Sequence, residues 1–133
     1  MAIRVVRLGS PRASGEGLRI GTVRHPPRGV RKEDYASRDF YDVWFPNLSP
    51  SESLIKEFRA NNDDGGWKTF KRHFLAEMKE SAAAKDLDLL AALSHHTDFA
   101  IGCYCEDESR CHRSLLKELL LKRGAKIREE EGL

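Results

Sequence analysis

Three cysteines, a histidine and two arginines fall within one short stretch of the chain, Cys103-Tyr104-Cys105-Glu106-Asp107-Glu108-Ser109-Arg110-Cys111-His112-Arg113. No cysteine occurs elsewhere in the 133 residues. Residues two apart on a strand face the same side, so Cys103 and Cys105 are expected to point together. Cys111 and His112 then open a helix, and a tight strand-to-helix turn carries them back toward the end of the same strand. One loop can thus collect three thiols, an imidazole and a guanidinium.

Three chemistries use such a set. The first is a thiolate nucleophile or redox thiol at Cys111. A helix N-terminus favours an anion, and a neighbouring cation such as His112 or Arg113 lowers a thiol pKa further. Glu106, Asp107 and Glu108 oppose this by repulsion, which leaves the sign of the net shift open. The second is a metal site. Cys103, Cys105, Cys111 and His112 form a set of three thiolates and one imidazole, suited to zinc or another divalent metal. The spacing is not the common C-x2-C form, and adjacent helical ligands diverge by about 100°. The third is an anion site, with helix N–H groups and Arg110 or Arg113 holding a phosphate or carboxylate. The C-x5-R loop of thiol phosphatases is missing, because Cys111 and Ser109 stand where counting from Cys105 and Cys103 requires arginine.

Structural explanations stand beside these. Cys103 on a buried strand is equally a small core residue, and His112 can serve as a cap or an ion-pair partner. His25, His73 and the pair His95-His96 read as solvated or helix-end histidines. Trp44, Trp67, Phe70 and Phe74 read as core.

The elements that must position the cluster follow from periodicity and punctuation. Strands are expected at Ile3–Leu8, Leu18–Val23 and Phe40–Phe45, with the loop around His25-Pro26-Pro27-Arg28-Gly29 forced out of regular structure by its prolines. Ser49, Pro50 and Glu52 resemble an N-cap, a first helical residue and the reciprocal capping-box position of a helix running to about Arg59. Amphipathic helices are expected at Trp67–Lys79 and Ala82–Leu93. Phe99–Cys105, short and nearly all apolar, reads as the central strand. The helix Cys111–Arg123 follows, with Gly124 as its terminator. This order predicts a single α/β domain over 1–127, with a small mixed sheet flanked by helices and a strand–loop–helix site near the C-terminus. Residues 128–133 are expected to be a frayed acidic tail.

Composition sets outer bounds. Apolar residues make up 40% and charged residues 33% of the chain, with a net charge of +2. Nine basic residues (Arg4, Arg7, Arg12, Arg19, Arg24, Arg28, Arg31, Lys32 and Arg38) face four acidic ones in the first 40 positions. That segment could receive an anion or nucleic acid, or form a solvated charged surface. An odd number of clustered cysteines argues against a disulfide scaffold and for a reducing, cytoplasmic compartment. No apolar run approaches the length of a membrane span.

Pro27-Arg28-Gly29, then Phe45-Pro46-Asn47-Leu48-Ser49-Pro50-Ser51, then Trp67-Lys68-Thr69-Phe70-Lys71-Arg72-His73-Phe74 with Glu77 resemble the YeaO-like branch of domain-of-unknown-function family 488. Cys103 and Cys111-His112-Arg113 resemble the wider family's pattern of a cysteine on the last strand followed by Cys-His-Arg opening a helix. The similarity spans about Ile3 to Lys126. The resemblance implies enzymatic work by the paired cysteines and names no reaction. Cys105 departs from the pattern, which often has glutamate there. That weakens schemes needing a carboxylate unless Glu106 substitutes, and favours metal binding or a Cys105–Cys111 disulfide.

The leading expectation is a small cytosolic enzyme or redox-active thiol protein acting on a small anionic or nucleotide-like substrate. Cys111 would be the nucleophile or redox thiol and His112 its proton partner, with Cys103 or Cys105 as resolving thiol. Arg113, Arg28 and Arg110 would hold the anion. The alternative is a module that binds a metal ion or nucleic acid without catalysis. A third reading has the cluster only tie down its loop, with function in a protein partner.

Overall fold

The computed structural model describes residues 1–105 and 107–129. Among them, four strands and four α-helices form an α/β fold, as expected. The strands are β1 (Ile3–Arg7), β2 (Leu18–Gly21), β3 (Val43–Trp44) and β4 (Phe99–Cys103). The helices are α1 (Glu52–Ala60), α2 (Asp64–Glu77), α3 (Ser81–Leu93) and α4 (His112–Lys122). The sheet order is β1-β4-β2-β3. All three pairings are parallel, where a mixed sheet was expected. The reason lies in the connections: no two neighbouring strands are joined by a hairpin, and each crossover returns the chain to the same end of the sheet.

β4 is central, as its unbroken apolar run predicted, and all five of its residues are buried. It pairs with β1 from Ile3↔Phe99 to Arg7↔Cys103 and with β2 from Leu18↔Phe99 to Gly21↔Gly102. A side chain at Gly102 would place its Cβ 2.6 Å from the Val6 carbonyl oxygen. Only glycine fits there. One face of the sheet packs against the helices, with Ile3, Ile20, Phe99 and Ile101 meeting Phe70, Phe74, Leu87, Leu90, Leu115, Leu116 and Leu120.

The other face carries a second core of Val6, Leu8, Val23, Tyr41 and Ala100 under Tyr35 and Phe40. Beside it lies a charged network the sequence did not reveal. Arg19, fully buried, forms a bidentate pair with Glu16, Nε to Oε2 and Nη2 to Oε1, both at 2.9 Å. Its Nη1 donates to the Ser10 and Asp39 carbonyls at 2.8 and 2.7 Å. Arg4 adds a second ion pair to Glu16. Burial alone would raise the Glu16 carboxyl pKa, but hydrogen bonds from Arg19 and Arg4 more than offset it and hold the pKa below the ordinary value.

Local expectations hold with shifted edges. The α1 cap is Ser51, not Ser49: its Oγ accepts from Leu54 N at 3.3 Å. The reciprocal partner is not Glu52 but Glu77 of α2, whose carboxylate accepts from Ser51 N at 3.0 Å and from Ser51 Oγ at 2.5 Å. A capping box is thus completed across two helices, which joins two of the matched motifs. The strand expected over Phe40–Phe45 shrinks to Val43–Trp44, because Asp39 turns through a positive φ of 62° and Tyr41 is drawn inward against Gly21. Gly124 ends α4 at φ 80°, and Ala125 N bonds back to the Leu120 carbonyl. Ile3 N donates to Lys126 O and Arg128 N to Ile3 O, at 2.9 and 2.7 Å, so the chain beyond α4 covers the free edge of β1. The rest of the expected acidic tail, residues 130–133, lies outside the described residues.

Removing one partner from a buried ion pair is costly because the charge left behind loses compensation, and Glu16 without Arg19 would keep the contact from Arg4 but lose its bidentate pair. Arg19→Met is therefore expected to lower folding stability by about 3–5 kcal/mol, read as the loss of unfolding free energy in urea titrations. An unchanged midpoint would show that Glu16 does not depend on Arg19.

Candidate functional site

β4 ends at Cys103, and a short loop with a single 3-10 turn at Glu108–Arg110 leads into α4. A helix that follows a strand and packs back on it starts beside the strand's carboxyl end. Leu115, Leu116 and Leu120 pack α4 in this way, which delivers Cys111 at the N-cap and His112 at the first helical position onto the end of β4. The sulfur atoms of Cys103 and Cys111 meet in direct contact. Cys103 and Cys111 are 1% and 2% exposed, and His112 is 8% exposed. Cys103 Sγ, Cys111 Sγ and a ring nitrogen of His112 all lie within 4.8 Å of one another.

The hydrogen bonds of His112 define its state. Nε2 lies 2.6 Å from the Thr22 carbonyl oxygen, and Nδ1 lies 3.8 Å from Cys111 Sγ. A carbonyl can only accept, so Nε2 carries the proton, and a neutral ring leaves its lone pair on Nδ1, facing the sulfur. Burial drives the His112 pKa down to about 4, with Arg113 adding repulsion and the Thr22 bond opposing. The ring is neutral near pH 7. The Thr22 carbonyl is available because β2 ends one residue earlier, while Thr22 N and Oγ1 both bond to the Gly102 carbonyl at 3.0 Å. Phe74 of α2 flanks the imidazole, ring centroids 5.7 Å apart.

The cluster forms the floor of a cavity of about 830 Å³. Pro26 and Pro27 line one side, Ile55, Phe58 and Arg59 of α1 with Phe70 of α2 another, and Phe40, Tyr104 and Cys105 the rim of β4. Arg24, Arg28, Arg59 and Arg110 also line it, and among the described residues no aspartate or glutamate does. Arg24 donates to the Pro50 and Ser49 carbonyls at 3.1 and 3.3 Å, which fixes the guanidinium without neutralising it.

The predicted site residues divide into three groups. Cys103, Cys111 and His112 are brought together. Cys105 is not part of that group: the strand stops at Cys103, the two-residue alternation ends with it, and Cys105 is free and exposed. Desolvation on its protein-facing side raises the Cys105 pKa, and the pull of Arg113 and Arg7 does not overcome it. The sulfur contact is Cys103–Cys111, not the Cys105–Cys111 bond implied by the resemblance. Of the arginines, Arg28 lines the cavity. Arg110 also lines it but is bound to Asp64 at the start of α2 and to the Asn62 carbonyl. Arg113 is buried, donates to the Val6 carbonyl at 3.3 Å and does not line the cavity. Glu106 lies outside the described residues.

Arg59, Phe58 and Thr22 line or touch the cluster and were not read from the sequence, and Arg24 was read only as one of the basic residues of the N-terminal segment. Thr22 acts through its backbone carbonyl, which no side-chain pattern reports. Among the N-terminal basic residues, Arg4, Arg12, Arg19 and Arg31 are committed to internal ion pairs with Glu16, Asp39, Asp42 and Asp34.

Residues 3–124 match the family model DUF488-N3a, described as the active DUF488-N3 subclade. The chain belongs to this family. Its curated relative YeaO of Escherichia coli (strain K12) is 34% identical over 80 residues, which is 60% of this chain and 64% of YeaO. The match thus spans less than two thirds of that relative. The resemblance seen in the motifs is borne out. No solved structure matches. No helix among the described residues is long and apolar enough to cross a membrane.

The unfolded chain takes up the His112 proton near pH 6.5, whereas the folded chain takes it up near 4. Between those values the unfolded state holds more protons, so stability falls as pH is lowered through this window and is retained above 6.5. In chelator-treated protein the His112 contribution is on the order of 3 kcal/mol. Urea midpoints measured from pH 7 to 4 are expected to decline, and His112→Gln to flatten the decline. Equal slopes for the two proteins would remove His112 as the cause.

Proposed function

We propose that this DUF488-N3a member is a cytoplasmic, cysteine-dependent enzyme acting on a small anionic substrate held in the cavity above Cys103, Cys111 and His112. The observation that carries the reading is the contact of two buried sulfurs beside an imidazole whose free lone pair faces Cys111, on the floor of a cavity whose lining, among the described residues, holds arginines and no carboxylate. Cavities at the carboxyl ends of parallel strands are where α/β folds place ligands. The family model's description as an active subclade points the same way.

In this reading Arg28 and Arg59 attract the anion, and the apolar walls exclude water from the reacting atoms. Cys111 Sγ forms a bond to an electrophilic carbon of the substrate while its proton passes to His112 Nδ1. The bond to the leaving group breaks, and that group takes the proton from Nδ1 as it departs. Water then cleaves the sulfur–substrate bond. Burial disfavours a standing imidazolium, so Nδ1 holds the proton only during transfer. Cys111 at the helix N-cap gains thiolate stabilisation from the helix dipole. Cys103 is the second thiol, positioned to shield or exchange with Cys111.

Iodoacetamide labelling followed by mass spectrometry, across pH 5 to 10 on reduced, metal-free protein, tests the reading. Cys111 is expected to titrate below the ordinary value near 8.5 and to react faster than Cys105. His112→Ala is expected to slow Cys111 while leaving Cys105 unaffected. A Cys111 that stays inert across the range, or titrates at the ordinary value, overturns the assignment.

A further inference from the structure

We propose that the reduced cluster is a three-ligand zinc site, made by Cys103 Sγ, Cys111 Sγ and His112 Nδ1, and that its occupancy masks the thiol the proposed reaction needs. The proposal rests on the same cluster as that reaction, but its metal-binding part requires no catalysis.

Four observations converge. First, the two sulfurs and a ring nitrogen of His112 lie within 4.8 Å of one another, all three residues are buried, and Nδ1 is 3.8 Å from Cys111 Sγ. Zinc holds sulfur at about 2.3 Å and nitrogen at about 2.0 Å, so side-chain adjustment alone brings all three into reach. Second, the Cα atoms of Cys103 and Cys111 stand 7.9 Å apart. Most disulfides need about 4.4–6.8 Å, whereas two thiolates sharing a metal sit further apart than bonded sulfurs do. The backbone therefore suits a shared ion better than a relaxed disulfide. Third, His112 already has the arrangement seen in zinc-bound imidazoles: one nitrogen is fixed by a backbone carbonyl, that of Thr22, and the other is left to coordinate. Fourth, the Cys111 side chain caps no backbone N–H of α4, although it occupies the N-cap. Once parted from Cys103 it has no capping bond to break before it turns to a metal, and its thiolate would lie at the positive end of the helix.

Two thiolates and an imidazole are the donor set of a borderline-soft ion, which selects zinc over magnesium or calcium. Three protein ligands leave a fourth position, and all three line the cavity, so that position opens toward it. Water or a substrate anion would complete the tetrahedron. Cys105, exposed and outside the cluster, is not a ligand. Binding is not a redox step: one Zn2+ displaces two thiol protons and forms two Zn–S bonds and one Zn–N bond. With the Cys111 lone pair committed to the metal, attack on an electrophile is suppressed until the metal leaves.

The test uses the whole chain, reduced and stripped with chelator. Zinc is titrated against a chromophoric chelator, and cobalt(II) serves as a spectroscopic probe. Expected are one metal per chain, a sulfur-to-cobalt charge-transfer band with the visible bands of a tetrahedral ion, and about a tenfold or greater slowing of Cys111 alkylation by one equivalent of zinc. Cys111→Ser and Cys103→Ser should each weaken zinc by roughly 100-fold or more, beyond the 10–100-fold of a lost outer-sphere partner. Cys105→Ser should change nothing. Circular dichroism melts confirm that the serine variants are folded, and His112→Gln provides a further ligand deletion if one is not. Absence of competition with the chelator, an octahedral cobalt spectrum, or binding lost in Cys105→Ser but kept in Cys111→Ser overturns the proposal. A reactive Cys111 in protein that binds no metal would sink the zinc site and leave the enzymatic reading standing. Tight zinc binding with an inert Cys111 after stripping would do the reverse.

Discussion

The arrangement depends on a strand with no free edge and no free face. β4 is paired on both sides, covered above and below, and buried at every residue. Such a strand must satisfy its backbone entirely through its neighbours, so it can leave the sheet only at its end. That end is Cys103. The two strand-side partners end nearby, and Gly102, at 2.6 Å Cβ clearance from the Val6 carbonyl, permits the close approach. Once the exit is fixed, the apolar stripe of α4 decides where the helix starts, and its first turn lands on the sulfur of the strand. The site is thus a by-product of burying Leu115, Leu116 and Leu120 in register with β4.

At that junction one hydrogen bond decides the chemistry. The Thr22 carbonyl would otherwise be an unsatisfied buried acceptor, and His112 Nε2–H supplies the missing donor. The bond selects the tautomer, and burial selects the charge. Together they yield a neutral imidazole with its lone pair aimed at Cys111, a group that can take a proton from a thiol or donate to a metal. The same low-dielectric surroundings that lower the His112 pKa penalise any uncompensated thiolate. A cation near the sulfurs, such as a metal ion, therefore has more effect here than it would at the surface.

Charge is divided by location. The basic excess of the N-terminal third resembles a nucleic-acid surface on paper, but Arg4, Arg12, Arg19 and Arg31 are spent on internal carboxylates. Arg19 with Glu16 holds the loop face of the sheet together. Arg24, Arg28 and Arg59 instead line the cavity, contributed by the loop after β2 and by the end of α1, with Arg110 beside them. The positive charge that lines the cavity is therefore not balanced by a described carboxylate in the same lining, whereas Arg4, Arg12, Arg19 and Arg31 each face one.

The apolar run of Phe99–Ile101 and the stripe of α4 were legible because burial writes a period into a chain, and the clustering of Cys103, Cys111 and His112 was legible because a short strand-to-helix turn carries the helix start back to the end of its strand. The terminator Gly124 and the helix-capping chemistry near Ser51 were legible as types, though the partner of Ser51, Glu77, comes from 26 residues away. Cys105 was misplaced because strand alternation holds only while the strand lasts, and where a strand ends depends on its neighbours. Thr22, Arg59 and the Arg19–Glu16 pair were invisible for the same reason: a backbone carbonyl has no side-chain signature, and an ion pair between buried residues looks in sequence like two ordinary surface charges. Sequence alone determined which atoms could react. Tertiary structure decided which of them meet, in what protonation state and facing which cavity, because contact, desolvation and tautomer are properties of what surrounds a residue and not of the residue itself.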